Sequence, residues 1–316
     1  MEQTIYGLSN QSYHHDKPYS EYLSSSQLKF YSRSPRFAKY MLDNPTEDKS
    51  DALRFGSLFH MAMEKIQQFG TIDAFYDSVA IFTPPKNDKT GQPYGTTTKA
   101  YAEAYKQFLA DNQGKEIATL EEVRLIDDMV GSLVRPSVGG ATARQVLKLL
   151  KWGKPEVSFF YETEDGIKLK VRPDLLTRKK IIDWKTTTSD DLTEDAINRT
   201  ILKYGYHISA AMYQYVVHEI TGVWRDFILA IVSKVAPYDC VMVDMANYGY
   251  RYYPDVDIVS MGPGALEFKK LLDLHIKCTK ENHWPGAEQA IPDNNGVRIL
   301  EIQPPRYYTN RFIEEI

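Results

Sequence analysis

A chain of 316 residues can bury a substantial core, as one large domain or two small ones. Its 43% hydrophobic and 25% charged residues are ordinary for a globular protein, and apolar runs such as Phe227 to Val232 are far too short to span a bilayer. A net charge of −4 does not exclude a nucleic-acid partner, because such a partner needs basic residues only along its own track.

Residues 1–20 read as an irregular lead-in, and MEQTIYGLSNQSYHH shows no secretory pattern. Ser24-Ser25-Ser26 can cap the helical stretch that follows, which Pro35 divides in two. Ala52–Phe69 is predicted as a helix with an apolar stripe of Leu53, Leu58, Phe59, Ala62, Met63 and Ile66, and Gly56 inside it suggests close packing. Residues 83–98, rich in Pro, Gly, Thr and Lys, read as a long exposed loop. Helical patterns resume at Lys99–Ala110, Leu120–Leu133 and Thr142–Leu150.

After Lys151 the pattern changes to strands at Val157–Tyr161, Ile167–Val171 and Ile181–Lys185. A helix over Tyr206–Ile220, strands at Trp224–Ser233 and Tyr238–Met245, and a helix over Ala265–Lys280 follow, with an irregular tail after Trp284-Pro285-Gly286. The whole reads as one α/β domain over 1–316, with a mainly helical lobe at 1–150 and a strand-rich core at 151–316. Cys240 and Cys278 can supply neither a disulfide framework nor a metal site of four thiolates, which fits a reducing, cytoplasmic setting.

The segment KLKVRPDLLTRKKIIDWKTTT, residues 168–188, carries the chemistry. A hairpin turning over Arg178-Lys179 puts Asp174 opposite Asp183, and opposed residues share a face. Two-residue alternation adds Arg172 and Lys185 to that face. Paired carboxylates repel unless something positive lies between them, and a hard divalent cation with oxygen ligands is the natural candidate. Lys185 would then orient a water or stabilise charge on a scissile phosphate, and Arg172 would contact phosphate. The alternative is a charged hairpin with cross-strand ion pairs, against which Asp183 lies between Ile182 and Trp184. A second match, Pro254-Asp255 before Glu267-x-Lys269, falls on a helical pattern instead. His60 on its apolar helix reads, by itself, as a core histidine.

Pro173-Asp174 with Asp183-Trp184-Lys185 resembles the PD-(D/E)XK nuclease superfamily. With LSSSQLKFYSRSPRFAKYM, FGSLFHMAME, PEVSFFYE, YHISAAMY, and WPG followed by QPP, the chain is similar to exodeoxyribonuclease VIII-type (RecE-like) phage exonucleases. The resemblance implies a central mixed sheet flanked by helices. It also implies Mg²⁺, with Mn²⁺ able to substitute, held by His60, Asp174, Asp183 and the Trp184 carbonyl, with Glu156 nearby. Ser209 stands where the family's next helix often has glutamine, with Tyr213 in place; Tyr206 and Tyr213 share a helix face and are candidates for DNA contact or for core packing. The implied activity is 5′→3′ digestion of linear double-stranded DNA in a bacterial host, leaving 3′ strands for recombination by an annealing protein. A ring-shaped homo-oligomer is implied as well. An endonuclease on the same fold and an inactive DNA-binding module are the alternatives.

Overall fold

A computed structural model describes residues 3–45 and 50–286, with Gln303; the tail expected to be irregular otherwise lies outside the described residues. Contacts divide the chain into two compact units, Met1–Ser26 with Thr46–Lys270 and Gln27–Pro45 with Leu271–Ile316.

The lead-in is more ordered than its sequence suggests, forming strand β1 (Gln3–Ile5) and helix α1 (Asn10–His15), the latter capped by the Ser9 hydroxyl. Helix α2 (Ser25–Leu28) and helix α3 (Pro35–Asp43) follow, and Pro35 opens α3 because the first helical position has no amide bond to lose. Helix α4 (Asp51–Phe69) buries Leu58, Phe59, Ala62, Met63 and Ile66 as the stripe predicts, and ends on left-handed Gly70. Two expectations fail there. Leu53 is exposed, and a Cβ at Gly56 would meet no atom within 4 Å, so Gly56 marks no close approach.

Helix α5 (Asp73–Ser78) leads into β2 (Val79–Ile81), which pairs in parallel with β3 (Glu116–Ala118) around helix α6 (Lys99–Asp111). The loop before α6 is knit by bonds from Asn87 N to Gln92 O (2.8 Å) and Tyr94 N to Pro85 O (2.9 Å), and so is a tied turn. Helix α7 (Leu120–Val134) starts with a reciprocal cap between Thr119 and Glu122. Helix α8 (Pro136–Trp152) is longer than its sequence pattern and bends at Gly140.

The strand-rich half follows as β4 (Lys154–Pro155), β5 (Ser158–Glu162), β6 (Lys168–Val171), β7 (Leu175–Leu176) and β8 (Lys180–Thr187). Helices α9 (Glu194–Tyr204) and α10 (Tyr206–Thr221) cross over to β9 (Asp226–Ser233), which runs parallel to β8. Then come β10 (Cys240–Asp244), the hairpin β11 (Tyr250–Tyr253) and β12 (Ile258–Met261), and helix α11 (Pro263–Glu281). The mixed sheet has the order β10-β9-β8-β7-β4, beside a ladder β1-β5-β6.

These two ladders meet at a break that shapes the site. Phe159 pairs with Val171 and Pro155 with Leu175, so one antiparallel register continues on both sides of residues 156–158 and 172–174. Pro173 has no amide to donate and Glu156 sits at φ 50°, a left-handed conformation that costs a non-glycine residue about 1–2 kcal/mol. Regular pairing therefore stops, leaving a bond from Glu156 N to Asp174 O at 3.3 Å. Phe59 and Met63 of α4 pack with Leu175, Ile182 and Trp184 in one core, which presses α4 against β4 and β8. Gly153 permits the end of α8 to close on β7, since a Cβ there would lie 2.6 Å from Leu175 Cδ1 and 2.9 Å from Leu149 O.

Candidate active site

The hairpin β7–β8 pairs Leu175 with Ile182 and Leu176 with Ile181, a register that sets Asp174 across from Asp183. The turn at Arg178-Lys179 is made by Thr177, whose hydroxyl accepts from Lys180 N at 2.8 Å and Lys179 N at 3.3 Å. The register across the ladder break sets Glu156 opposite Asp174 in the same way. Glu156, Asp174 and Asp183 thus form an acidic row over three neighbouring chain segments.

His60 reaches this row from α4. Its Nδ1 lies 3.1 Å from Asp174 Oδ1 and its Nε2 2.8 Å from the Trp184 carbonyl oxygen. Burial pulls the imidazole pKa down, but the Asp174 carboxylate outweighs it and leaves His60 above its ordinary 6.5. Both ring nitrogens thus face an oxygen, one of the carboxylate and one of the carbonyl. The second Asp174 oxygen accepts from Trp184 N at 2.6 Å. Burial would raise the Asp174 carboxyl, yet His60 holds it below its usual range.

Lys185 faces the other side of the row. Its Nζ lies 2.5 Å from Asp183 Oδ2, 3.3 Å from Trp184 O and 5.6 Å from the centre of the Tyr206 ring. Burial opposes its charge, but Asp183 and then Asp174 keep its pKa raised. Asp183 is raised by burial against the pull of Lys185. Burial, and next the Asp174 carboxylate, pushes Glu156 up to about 8. Burial and carboxylate crowding thus favour protons on His60 and Glu156, and a bound cation would take the place of those protons.

The row fits a hard cation. His60, Glu156 and Asp174 each offer one ligand atom, all within 4.8 Å of one another, and the Trp184 carbonyl lies beside His60. Two carboxylates, an imidazole and a carbonyl are donors suited to a divalent metal. Asp183 stands outside that three-residue cluster, turned to Lys185.

Other expected residues take different places. Arg172 is buried: its Nε meets Ser158 Oγ at 2.9 Å and Glu156 Oε2 at 3.7 Å, its Nη2 reaches Leu8 O at 3.2 Å, and its guanidinium lies 3.9 Å over the Tyr13 ring. It is enclosed by protein, where the sequence reading put a phosphate contact. Tyr213 is half-buried, edge-on to Phe227, and burial raises its hydroxyl pKa, with Tyr13 and the acidic row adding to the shift. Ser209 bonds weakly to Gly205 O at 3.5 Å, within its own helix region. The Tyr13–Arg172–Glu156 chain has no sequence signal, because its members come from distant segments.

Residues 24–290 match the PDDEXK-like domain of unknown function (DUF3799). Among solved structures, the chain is similar to one from Eubacterium rectale whose protein is called "Putative exonuclease". Identity is 18% and the TM-score 0.53, over 96% of this chain and 97% of that one, a likeness of fold. None of the curated proteins matches. A Pro-Asp hairpin, an acidic row and a lysine on the next strand, on a mixed α/β sheet matched over residues 24–290, place the chain in the PDDEXK-like domain family of unknown function (DUF3799).

Proposed function

We propose that this protein is a metal-dependent deoxyribonuclease that digests linear double-stranded DNA from its 5′ ends. The observation that carries the reading is the acidic row flanked by His60 and Lys185. Mg²⁺ is the expected metal, with Mn²⁺ substituting. A divalent cation in such a site lowers the pKa of a coordinated water and neutralises charge growing on the phosphate.

The chain's own residues do the rest. Asp174, Glu156 and His60 would hold the cation, with the Trp184 carbonyl and Asp183 as further oxygen donors beside them. Lys185, steadied by Asp183 and by the Tyr206 ring, is placed to donate to a phosphate oxygen or to the attacking water. In hydrolysis the water oxygen bonds to phosphorus, a P–O ester bond breaks, and the leaving oxygen takes a proton. The surviving 3′ strand would pass to an annealing protein, and a ring-shaped homo-oligomer would keep digestion processive.

The test uses linear duplex labelled at either end beside the same DNA as a covalently closed circle. Early loss of the 5′ label with an intact circle supports the exonuclease. Efficient cutting of the circle would move the activity to an endonuclease of the same fold.

A further inference from the structure

The chain carries net charge −4, yet from Met129 to Pro155 it contains no Asp or Glu and five cations: Arg135, Arg144, Lys148, Lys151 and Lys154. Arg135 is paired with Asp127 at 3.2 Å. Beyond the bend of α8, Arg144, Lys148 and Lys151 recur at helical spacing and share one face, all exposed, opposite the buried Ala143, Val146, Leu149 and Leu150. None of the three, nor Lys154, forms an ion pair among the described residues. Along the axis, Arg144 to Trp152 spans about 12 Å at 1.5 Å per residue.

Large exposed rings accompany this stripe. Trp152 is 74% exposed, Phe69 61% and Tyr6 58%. Each has an ammonium over its face: Lys151 at 5.3 Å from Trp152, Lys65 at 5.8 Å from Phe69, and Lys154 at 4.6 Å from Tyr6. Gln67 donates to Gly153 O at 2.8 Å, tying the end of α4 to the turn that carries Trp152. That turn continues through β4 directly into Glu156 of the acidic row.

Interleaved ammoniums and exposed rings are the chemistry that holds a polyanion whose bases are unpaired. Phosphates take the cations and bases stack on the rings, whereas a duplex offers its phosphates but hides its base faces. We propose that the outer face of α8, with Trp152, Lys154, Phe69 and Tyr6, is a track for single-stranded DNA leading away from the site. This deepens the nuclease reading and rests on it for its purpose: the strand bound would be the one left undigested.

The experiment uses the full chain in metal-free buffer, so that nothing is hydrolysed, with a labelled oligothymidylate of about twenty nucleotides as probe. Binding is read by anisotropy over a salt series and by tryptophan fluorescence. The expected result is quenching on binding, lost in Trp152→Ala together with about tenfold in affinity. Lys148→Glu combined with Lys151→Glu should weaken binding at least as much and flatten the salt dependence. All three positions are exposed, and unchanged melting temperatures establish that the variants fold. Undiminished binding by both variants, absent binding by the unaltered chain, or equal competition by blunt duplex would overturn the track. So would self-association that Lys148→Glu with Lys151→Glu abolishes in sedimentation, which would give the face to a second copy. Binding that fails in a protein still able to digest linear duplex removes the track alone; binding that persists without digestion removes the nuclease reading alone.

Discussion

Two opposed carboxylates, taken from the sequence, predict that removing Asp183 relieves repulsion and stabilises the metal-free fold. The structure reverses the sign. Lys185 already sits 2.5 Å from Asp183 and His60 bridges Asp174 to the Trp184 carbonyl, so the repulsion is answered from both sides. Asp183→Ala would leave a largely buried ammonium without its closest partner, a loss of about 1–3 kcal/mol. Melting in metal-free buffer should therefore shift down, with hydrolysis abolished; an upward shift would restore the repulsion argument. Asp174, Asp183 and Lys185 were legible because a short hairpin brings them together within one segment. Glu156 was legible only through family resemblance, since its place in the row depends on a register held across a broken ladder. Arg172 was misplaced because alternation along β6 does not continue past Pro173, and the lead-in that encloses it carries no periodicity.

At the scale of elements, long periodic helices were legible and short or capped-by-context ones were not. α4, α7 and α10 follow their apolar patterns and β1 owes its form to pairing with β5, whereas α9 went unpredicted although Thr193, Glu194-Asp195 and Gly205 mark its ends. Arg178-Lys179 is a poor turn dipeptide, and Thr177 supplies the turn bonds in its place. In the unit formed by Gln27–Pro45 and Leu271–Ile316, the Tyr31 hydroxyl lies 2.6 Å from His275 Nδ1, which can accept from it when that nitrogen is unprotonated. Burial lowers the His275 pKa below its ordinary 6.5. Between the folded and unfolded values the unfolded chain binds more protons, so stability is present above 6.5 and is lost as pH falls from 6.5 toward the folded value. Denaturant titrations from pH 7 down to pH 5 should show this slope, and His275→Asn should flatten it. A slope unchanged by the substitution would assign the acid sensitivity elsewhere.

At the scale of the whole molecule, charge is organised rather than abundant. The acidic row gathers carboxylates that could hold a cation, while 129–155 lacks acidic residues and sets Arg144, Lys148 and Lys151 on one helix face. No helix among the described residues is long and apolar enough to cross a membrane. The fold class was legible from helices followed by a strand-rich half; the division of strands between two ladders was not, because Pro173 and the left-handed Glu156 break the pairing only once the segments are side by side. The most direct measurement is nucleotide release from linear duplex as Mg²⁺ is added to metal-free protein, for the unaltered chain and for Lys185→Met. Release that is absent in chelator, rises to saturation with Mg²⁺, and falls about a hundredfold or more in Lys185→Met is the predicted result. Release that persists in chelator, or no release at any concentration of Mg²⁺ or Mn²⁺ from a folded protein, would contradict it.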